Sequence, residues 1–191
     1  MEKHASVYCN TDFFELYTES KSGSVCAQDP KGVDIYLSSE DGCYNIGSAL
    51  TTVLEKSRVV GKNDPDYNLF DISAITGRYK DFVEYVLQKY NYKNKHAMFK
   101  NMQHCSVKMD DGIIVISPWK HDKLEGYDGM NESFNLTIPS TSTPSVIGAA
   151  VKYSIARCTG RSADLVAKKL FPGGVPDTFE DYLQSLNLQK A

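Results

Sequence analysis

The sequence predicts an α+β fold: antiparallel sheet(s) with packed helices, arranged as a pseudo-twofold repeat of a hairpin–strand–helix unit. Three observations predict it. First, two pairs of apolar runs are split only by short polar breaks, Asn10-Thr11-Asp12 and Asp110-Asp111-Gly112. Asp-Gly between apolar runs is a strong short-range hairpin signal. Second, each pair is followed by a strand, a polar cap and a helical pattern. Third, VDIYLSSEDGCYNIGSALTTVLEKSR (33–58) lies over FNLTIPSTSTPSVIGAAVKYSIARCT (134–159) without a gap, Ile46-Gly47 falling on Ile147-Gly148. Upstream, 6–17 lies over 106–117, one register away. Chance likeness of two strand–cap–helix units is the competing explanation. A parallel βαβ sheet is the competing fold, and the two hairpin signals disfavour it.

The elements follow in order. Residues 5–18 predict two strands around the Asn10–Asp12 break. Residues 19–32 are rich in Ser, Gly and Lys and contain Asp29-Pro30, which predicts a loop. A strand follows over 33–38. A helix is expected over 44–57, where Ile46, Leu50, Val53 and Leu54 share one face. Gly47 lowers its propensity by up to ~1 kcal/mol relative to Ala, a cost that close packing against a sheet would offset. The polar turn 61–66 closes this unit. Residues 78–90 form the clearest helix. Tyr79, Phe82, Val83, Val86, Leu87 and Tyr90 make an apolar stripe, read as a core face rather than a base-stacking platform.

Residues 97–118 predict the second hairpin, with AMFKNMQHCSVKM as one strand and IIVISP as a central one. A strand over 134–139 comes next. Ser142-Thr143-Pro144 then supplies a cap and a proline near the first helical position. That helix runs through SVIGAAVKYSIARC to Gly160, placed where a C-terminal glycine is expected. Two shorter helices follow, over 162–170 and 178–186, with capping-box spacing between Asp177 and Glu180. The chain of 191 residues thus reads as a single domain. Residues 5–60 are the first repeat half, 61–95 a helical insertion, 96–160 the second half and 161–191 a C-terminal helical extension.

The formal charge of −3 lacks the cationic footprint of a general nucleic-acid binder. The five cysteines are dispersed and form no CxxC pair, so they read as reduced thiols of a cytoplasmic protein, most of them small core residues. The N-terminus has no apolar signal-peptide core, and no run approaches the ~18 apolar residues of a membrane span. No membrane partner is expected.

Catalytic signatures are missing. The sequence has no GxSxG, no Gly-rich phosphate loop and no HxH or HExxH. His104 and Cys105 are neighbours on a strand, so their side chains point to opposite faces and cannot pair. His121, Asp122, Lys123 and Glu125 could in principle supply acid, base and cation, but their spacing matches no catalytic logic. Trp119, beside Pro118, either folds back into the core or anchors a partner, since Trp is enriched among interface hot spots. Asp64, Asp66 and Asp71 flank the first helical unit, Asp110-Asp111 caps the second hairpin and Glu180-Asp181 lies in the tail. Each reads most simply as a solvated turn or helix start, and the first three are singled out as acidic groups for meeting a basic partner. No cofactor or metal is expected.

One resemblance spans about residues 5–160. It is carried by Leu50 with Ser57-Arg58, by Phe99-Lys100-Asn101-Met102, and by Asp111-Gly112 before an apolar strand. Pro118 with Lys123-Leu124-Glu125, and Ile147-Gly148 with Arg157-Cys158, complete it. Together these resemble the immunity proteins of bacterial contact-dependent growth inhibition systems. The resemblance implies a small non-enzymatic cytoplasmic protein. Its partner would be the toxic C-terminal domain of a cognate exported effector, often a nuclease, bound 1:1. Against it stands a single-stranded nucleic-acid-binding module, which would need exposed aromatics among cations such as Lys93, Lys95, Lys100 and Arg157. The stretch ISPWKHDKLEGYD (116–128) reads as a strand end plus a structured loop, with toxin binding as its second reading.

Overall fold

The computed structural model describes residues 1–189. Its centre is a nine-stranded sheet, antiparallel at every pairing but one. Strands β1 (Lys3–Cys9) and β2 (Phe13–Ser22) form the first hairpin. The free edge of β2 carries two short strands, β3 (Val25–Gln28) and β4 (Asp34–Ser38). Helix α1 (Cys43–Glu55) follows. The second hairpin is β5 (Gln103–Asp110) with β6 (Ile113–Lys123). The edge of β6 carries β7 (Gly126–Gly129) and β8 (Leu136–Pro139), and α4 (Pro144–Ala156) closes that half. Between the halves lie α2 (Ile72–Lys89) and α3 (Lys95–Phe99). After them come β9 (Thr159–Gly160), α5 (Ala163–Leu170) and α6 (Phe179–Ser185).

The repeat is visible in the register. Val7 pairs with Leu16 across β1–β2, and Val107 with Ile116 across β5–β6. Leu16 then pairs with Ile35, and Ile116 with Leu136. Glu19 faces Gln28, and Trp119 faces Gly129. Even the lone parallel bridge Lys21–Val59 has its counterpart in His121–Gly160. The numbering shift grows by one residue where a β-bulge falls between His121 and Lys123. The two halves meet where β1 pairs with β5, and Ser6 pairs there with Ser106, its own counterpart.

The helices obey the same symmetry. A Cβ on Gly47 would sit 1.8 Å from the Pro144 carbonyl oxygen, and one on Gly148 would sit 1.8 Å from that of Cys43. The two helices therefore cross backbone to backbone, which only glycine permits. Ile46, Leu50, Val53 and Leu54 of α1 join Ile147, Val151 and Ile155 of α4 on one sheet face, over Val7, Leu16, Val107 and Ile116. The far side of α4 is roofed by α5 and α6 through Val166, Phe171, Phe179 and Tyr182. Enclosure on both sides explains why α4 is apolar nearly all round.

Several expectations are corrected. Residues 19–32 are not one loop: β2 runs on to Ser22, turns at Gly23 (φ +59°) and returns as β3. The second helix begins at Ile72, six residues earlier than its apolar stripe suggests. Residues 97–99 are helical, so the second hairpin begins only at Gln103. Gly160 does not end α4. It pairs with His121 at φ +92°, where a Cβ would lie 2.2 Å from the His121 carbonyl oxygen. The last helix is capped by Thr178 over Asp181, not by Asp177 with Glu180.

Candidate functional site

Strand alternation gives the sheet two different faces. Phe14, Leu16, Cys105, Val107, Ile114 and Ile116 turn toward α1 and α4. The residues between them turn the other way. On this outer face one row crosses four strands at directly paired positions: Tyr36, Glu15, Tyr8 and His104. The row continues as ring contacts, with Tyr8 stacked on His104 at 4.4 Å and His104 against Trp119 at 5.4 Å.

Helix α2 lies over part of this face. Its Val83 and Val86 pack with Phe13, Met98, Phe99 and Met102 in a second core, bordered by Tyr79, Phe82 and Tyr90. Phe13 and Tyr90 stack at 4.4 Å. Between helix and sheet a cavity of about 310 Å³ remains. Glu15, Glu19, Tyr8 and Tyr17 line it from strands β1 and β2, Arg78 and Tyr79 from the helix, and Glu125 and Tyr127 from the hairpin of β6 with β7.

The electrostatics of this cavity are set by burial. Glu15 is 2% exposed. Tyr36 donates a hydrogen bond of 2.8 Å to its Oε1. Burial, reinforced by the charge of Asp34 and only partly opposed by that bond, pushes its pKa up to about 8. Burial also raises Glu19. His104 is pushed down to about 3 by burial, so its imidazole is neutral at physiological pH.

The seven residues singled out in the sequence fall into two groups. Asp64, Asp66 and Asp71 stand before the N-terminus of α2. Asp64 accepts from the Asp66 backbone N–H at 2.9 Å, and Asp71 is exposed at the helix N-cap. Asp66 receives Arg58 at 2.6 Å and Lys31 at 2.7 Å, and these bonds, Lys31 first, hold its pKa low.

The other group lies on the β6–β7 hairpin. Trp119 sits within β6, half-buried, and donates from Nε1 to Ser106 Oγ at 3.1 Å. His121 is 1% exposed, lies 3.0 Å from the Leu124 carbonyl oxygen and stacks on Tyr127. Lys123 is exposed at the bulge. Glu125 accepts from the Tyr79 hydroxyl and pairs with Lys95 at 3.0 Å, tying the hairpin tip to α2 and α3. ISPWKHDKLEGYD is thus more regular than a loop: strand, bulge, two-residue tip and returning strand.

Sequence reasoning missed Glu15 and Glu19. They alternate with Phe14, Leu16 and Thr18, a pattern that reads as a solvated outer face. Only the placement of α2 buries them. Among the described residues no group of three or more His, Cys, Asp or Glu could hold a metal ion. No helix among them is long and apolar enough to cross a membrane.

Residues 3–158 match the family profile described as CdiI, CDI immunity protein. The chain belongs to the CDI immunity protein family. CdiI proteins are inhibitors, not enzymes. The chain is 32% identical over 171 residues to the immunity protein CdiI-YPIII of Yersinia pseudotuberculosis serotype O:3 (strain YPIII), covering 82% of this chain and 95% of that one. In three dimensions it is similar to a chain of the CdiA-CT/CdiI toxin and immunity complex from Yersinia pseudotuberculosis. There the TM-score is 0.77 at 30% identity, with 83% of this chain and 98% of that one covered. A Neisseria meningitidis protein of unknown function matches equally well in shape, at TM-score 0.77, 27% identity and coverage of 83% and 96%. The CdiI match ends at Cys158, so α5 and α6 lie beyond it.

Proposed function

We propose that this CdiI family member binds the C-terminal toxin domain of a cognate contact-dependent growth inhibition effector, 1:1, and neutralises it in the cytoplasm of the producing cell. The observation that carries the reading is the likeness to a chain of a solved CdiA-CT/CdiI toxin and immunity complex, over nearly the whole of that chain. We assign the toxin a nuclease activity, on the resemblance that residues such as Lys123-Leu124-Glu125 and Ile147-Gly148 bear to this class.

The contact surface in this reading flanks α2. Asp64, Asp66 and Asp71 mark its N-terminal end, and Trp119, Lys123 and Glu125 mark the β6–β7 hairpin beside its middle, where His121, at 1% exposure, supports the surface from beneath rather than meeting a partner. Acidic groups there suit a protein whose own active site is cationic, because charge complementarity speeds association and disfavours wrong partners. An interface of roughly 1,200–2,000 Å² is expected, with a nanomolar or tighter constant worth about −12 kcal/mol or more.

The test is a calorimetric titration of this chain against the C-terminal domain of any large exported protein encoded next to it, with nuclease activity followed in parallel. Tight 1:1 binding with loss of activity supports the reading. A folded, active domain that neither binds nor loses activity overturns the pairing.

A further inference from the structure

We propose that the cavity between α2 and the outer face of the sheet is a binding site for an organic cation, an ammonium or guanidinium group. This does not rest on the toxin reading. The cavity holds about 310 Å³, at the lower end of what small-ligand sites enclose and enough for a lysine- or arginine-sized group.

The lining points to charge as well as size. Glu15 and Glu19 both present carboxyls to it. Other acids of this molecule have cations: Glu2 has Lys21 and Lys108, Asp29 and Asp66 share Arg58, Glu125 has Lys95. Glu15 and Glu19 have no ion pair among the described residues. Glu15, at 2% exposure, receives Tyr36 on Oε1, and Glu19 is bonded by the Ser6 hydroxyl; both partners are neutral. Arg78 lines the same space but sends Nη2 to the Leu69 carbonyl at 2.6 Å. A buried carboxyl without a counter-charge is costly to ionise, and a cationic guest removes that cost.

The walls fit the same guest. Tyr8, Tyr17, Tyr79 and Tyr127 surround the carboxyls. Ring faces attract cations, and this chain already uses neighbouring rings so: Lys95 lies 4.9 Å over Tyr79 and Lys89 lies 4.5 Å over Tyr36. The internal repeat isolates the feature. Core positions keep their character between halves, Phe14 matching Ile114 and Leu16 matching Ile116. On the outer face Glu15 matches Val115 and Glu19 matches Trp119. The acids belong only to the half that α2 covers.

The groups facing Glu15 are Tyr36 and Asp34 from β4, Tyr17 on its own strand and Tyr8 from β1. From α2 it is faced by Arg78 and, at that helix's C-cap, by Tyr90, with Lys89 beyond Tyr36, and from the β6–β7 hairpin by Glu125 and Tyr127. Entry of a cation draws the proton off Glu15 to solvent, so binding at neutral pH releases a proton and strengthens as pH rises toward about 8.

Titration of the full chain with n-butylguanidinium and n-butylammonium, by calorimetry and protein NMR, tests this. One site with a dissociation constant of ~1 mM or tighter is expected. Affinity should fall ~10-fold from about pH 7.5 to 6.5, with reaction heats that depend on the ionisation heat of the buffer. E15Q should weaken binding at least ~10-fold while the far-UV spectrum and cooperative unfolding persist. E19Q carries the same test should E15Q fail to fold. The neutral isostere 1-pentanol should not bind. Silence of both cations at tens of millimolar, equal binding of pentanol, or unchanged affinity in a folded E15Q overturns the proposal. Competition between the probe and the bound toxin domain assigns the site to a basic side chain of that domain; simultaneous binding assigns it to a free cation.

Discussion

At the scale of single residues, two acids show how surroundings decide the meaning of a carboxyl. Glu15 is destabilised as an anion, because its folded pKa of about 8 lies above the usual carboxylate value. The folded state then holds a proton that the unfolded chain has lost, so this group lowers stability as pH rises between about 4.5 and 8. E15Q should therefore be more stable than the parent near pH 8, by up to a few kcal/mol, with the advantage vanishing below about pH 4.5. Chemical denaturation across that range checks it; a pH-independent difference would refute the account.

Asp29 is the opposite case. Burial works against its charge, but Arg58 bonds it at 2.6 and 3.1 Å, Ser20 donates at 2.7 Å, and its pKa ends below the ordinary value. Its stabilisation is present above the unfolded carboxylate pKa and is lost as pH falls through the folded one. R58A strands Asp29 at 3% exposure and should cost about 2–4 kcal/mol at pH 7, shrinking on acidification. Equal denaturation midpoints for R58A and parent at pH 7 would exclude this role. Ser57-Arg58, one of the pairs that carried the family resemblance, thus has a structural reason to be there. Ser57 accepts from the His4 backbone N–H and donates to the Glu19 carbonyl, while Arg58 clamps two acids.

At the scale of elements, the crossing of α1 and α4 is the tightest demand in the fold. G148A places a methyl against the Cys43 backbone and G47A one against Pro144. Each should cost about 3 kcal/mol or more, beyond ordinary overpacking because backbone cannot rotate aside. Since both act at one crossing, the double variant should cost less than the two singles added. Denaturant titrations of the three variants measure this; strict additivity would mean that the helices do not share the contact.

The aligned Ile-Gly pairs announce the repeat but not this crossing: the sequence suggests a sheet as the neighbour of Gly47, and its neighbour is α4. Both hairpins, the three longer helices and the two terminal ones are legible as well. Those features are local: alternation, helical stripes, Asp-Gly and a Thr-Pro start. What stayed hidden depends on partners far along the chain. β3 and β7 are strands because β2 and β6 offer them an edge, and their own sequences, VCAQ and GYDG, carry little strand signal. The helical state of KHAMF follows from its Asn94 cap and from burying Met98 and Phe99 under α2, neither of which alternation reveals. The cavity was least legible, since Glu15 and Glu19 look solvated until α2 is laid over them.

For the whole molecule, the proposed association can be probed through charge. Asp71 is exposed and Asp64 partly so, whereas Asp66 is held by Arg58 and Lys31. Replacing Asp64 and Asp71 by lysine should slow association with a basic toxin domain several-fold at low salt and much less at physiological salt. Stopped-flow rates at two ionic strengths decide it, and an unchanged on-rate would move the interface elsewhere. We also propose that the chain is one domain, with residues 5–60 and 96–160 as halves, 61–95 as an insertion and 161–191 as an extension. Thermal unfolding should then be a single transition, coincident by near- and far-UV dichroism. Two separated transitions would divide it.

The pairing of β1 with β5 has a consequence for synthesis. The first strand emerges from the ribosome long before the hundred-odd residues that supply its neighbour. At ~5–20 residues per second, that edge stays open for roughly 5–20 s on each new chain. Glycine-lined α1 waits just as long for α4. The two halves cannot be completed in turn, so the newborn chain stays unshielded along its central seam until most of it has been made, and a chaperone has that interval in which to hold it.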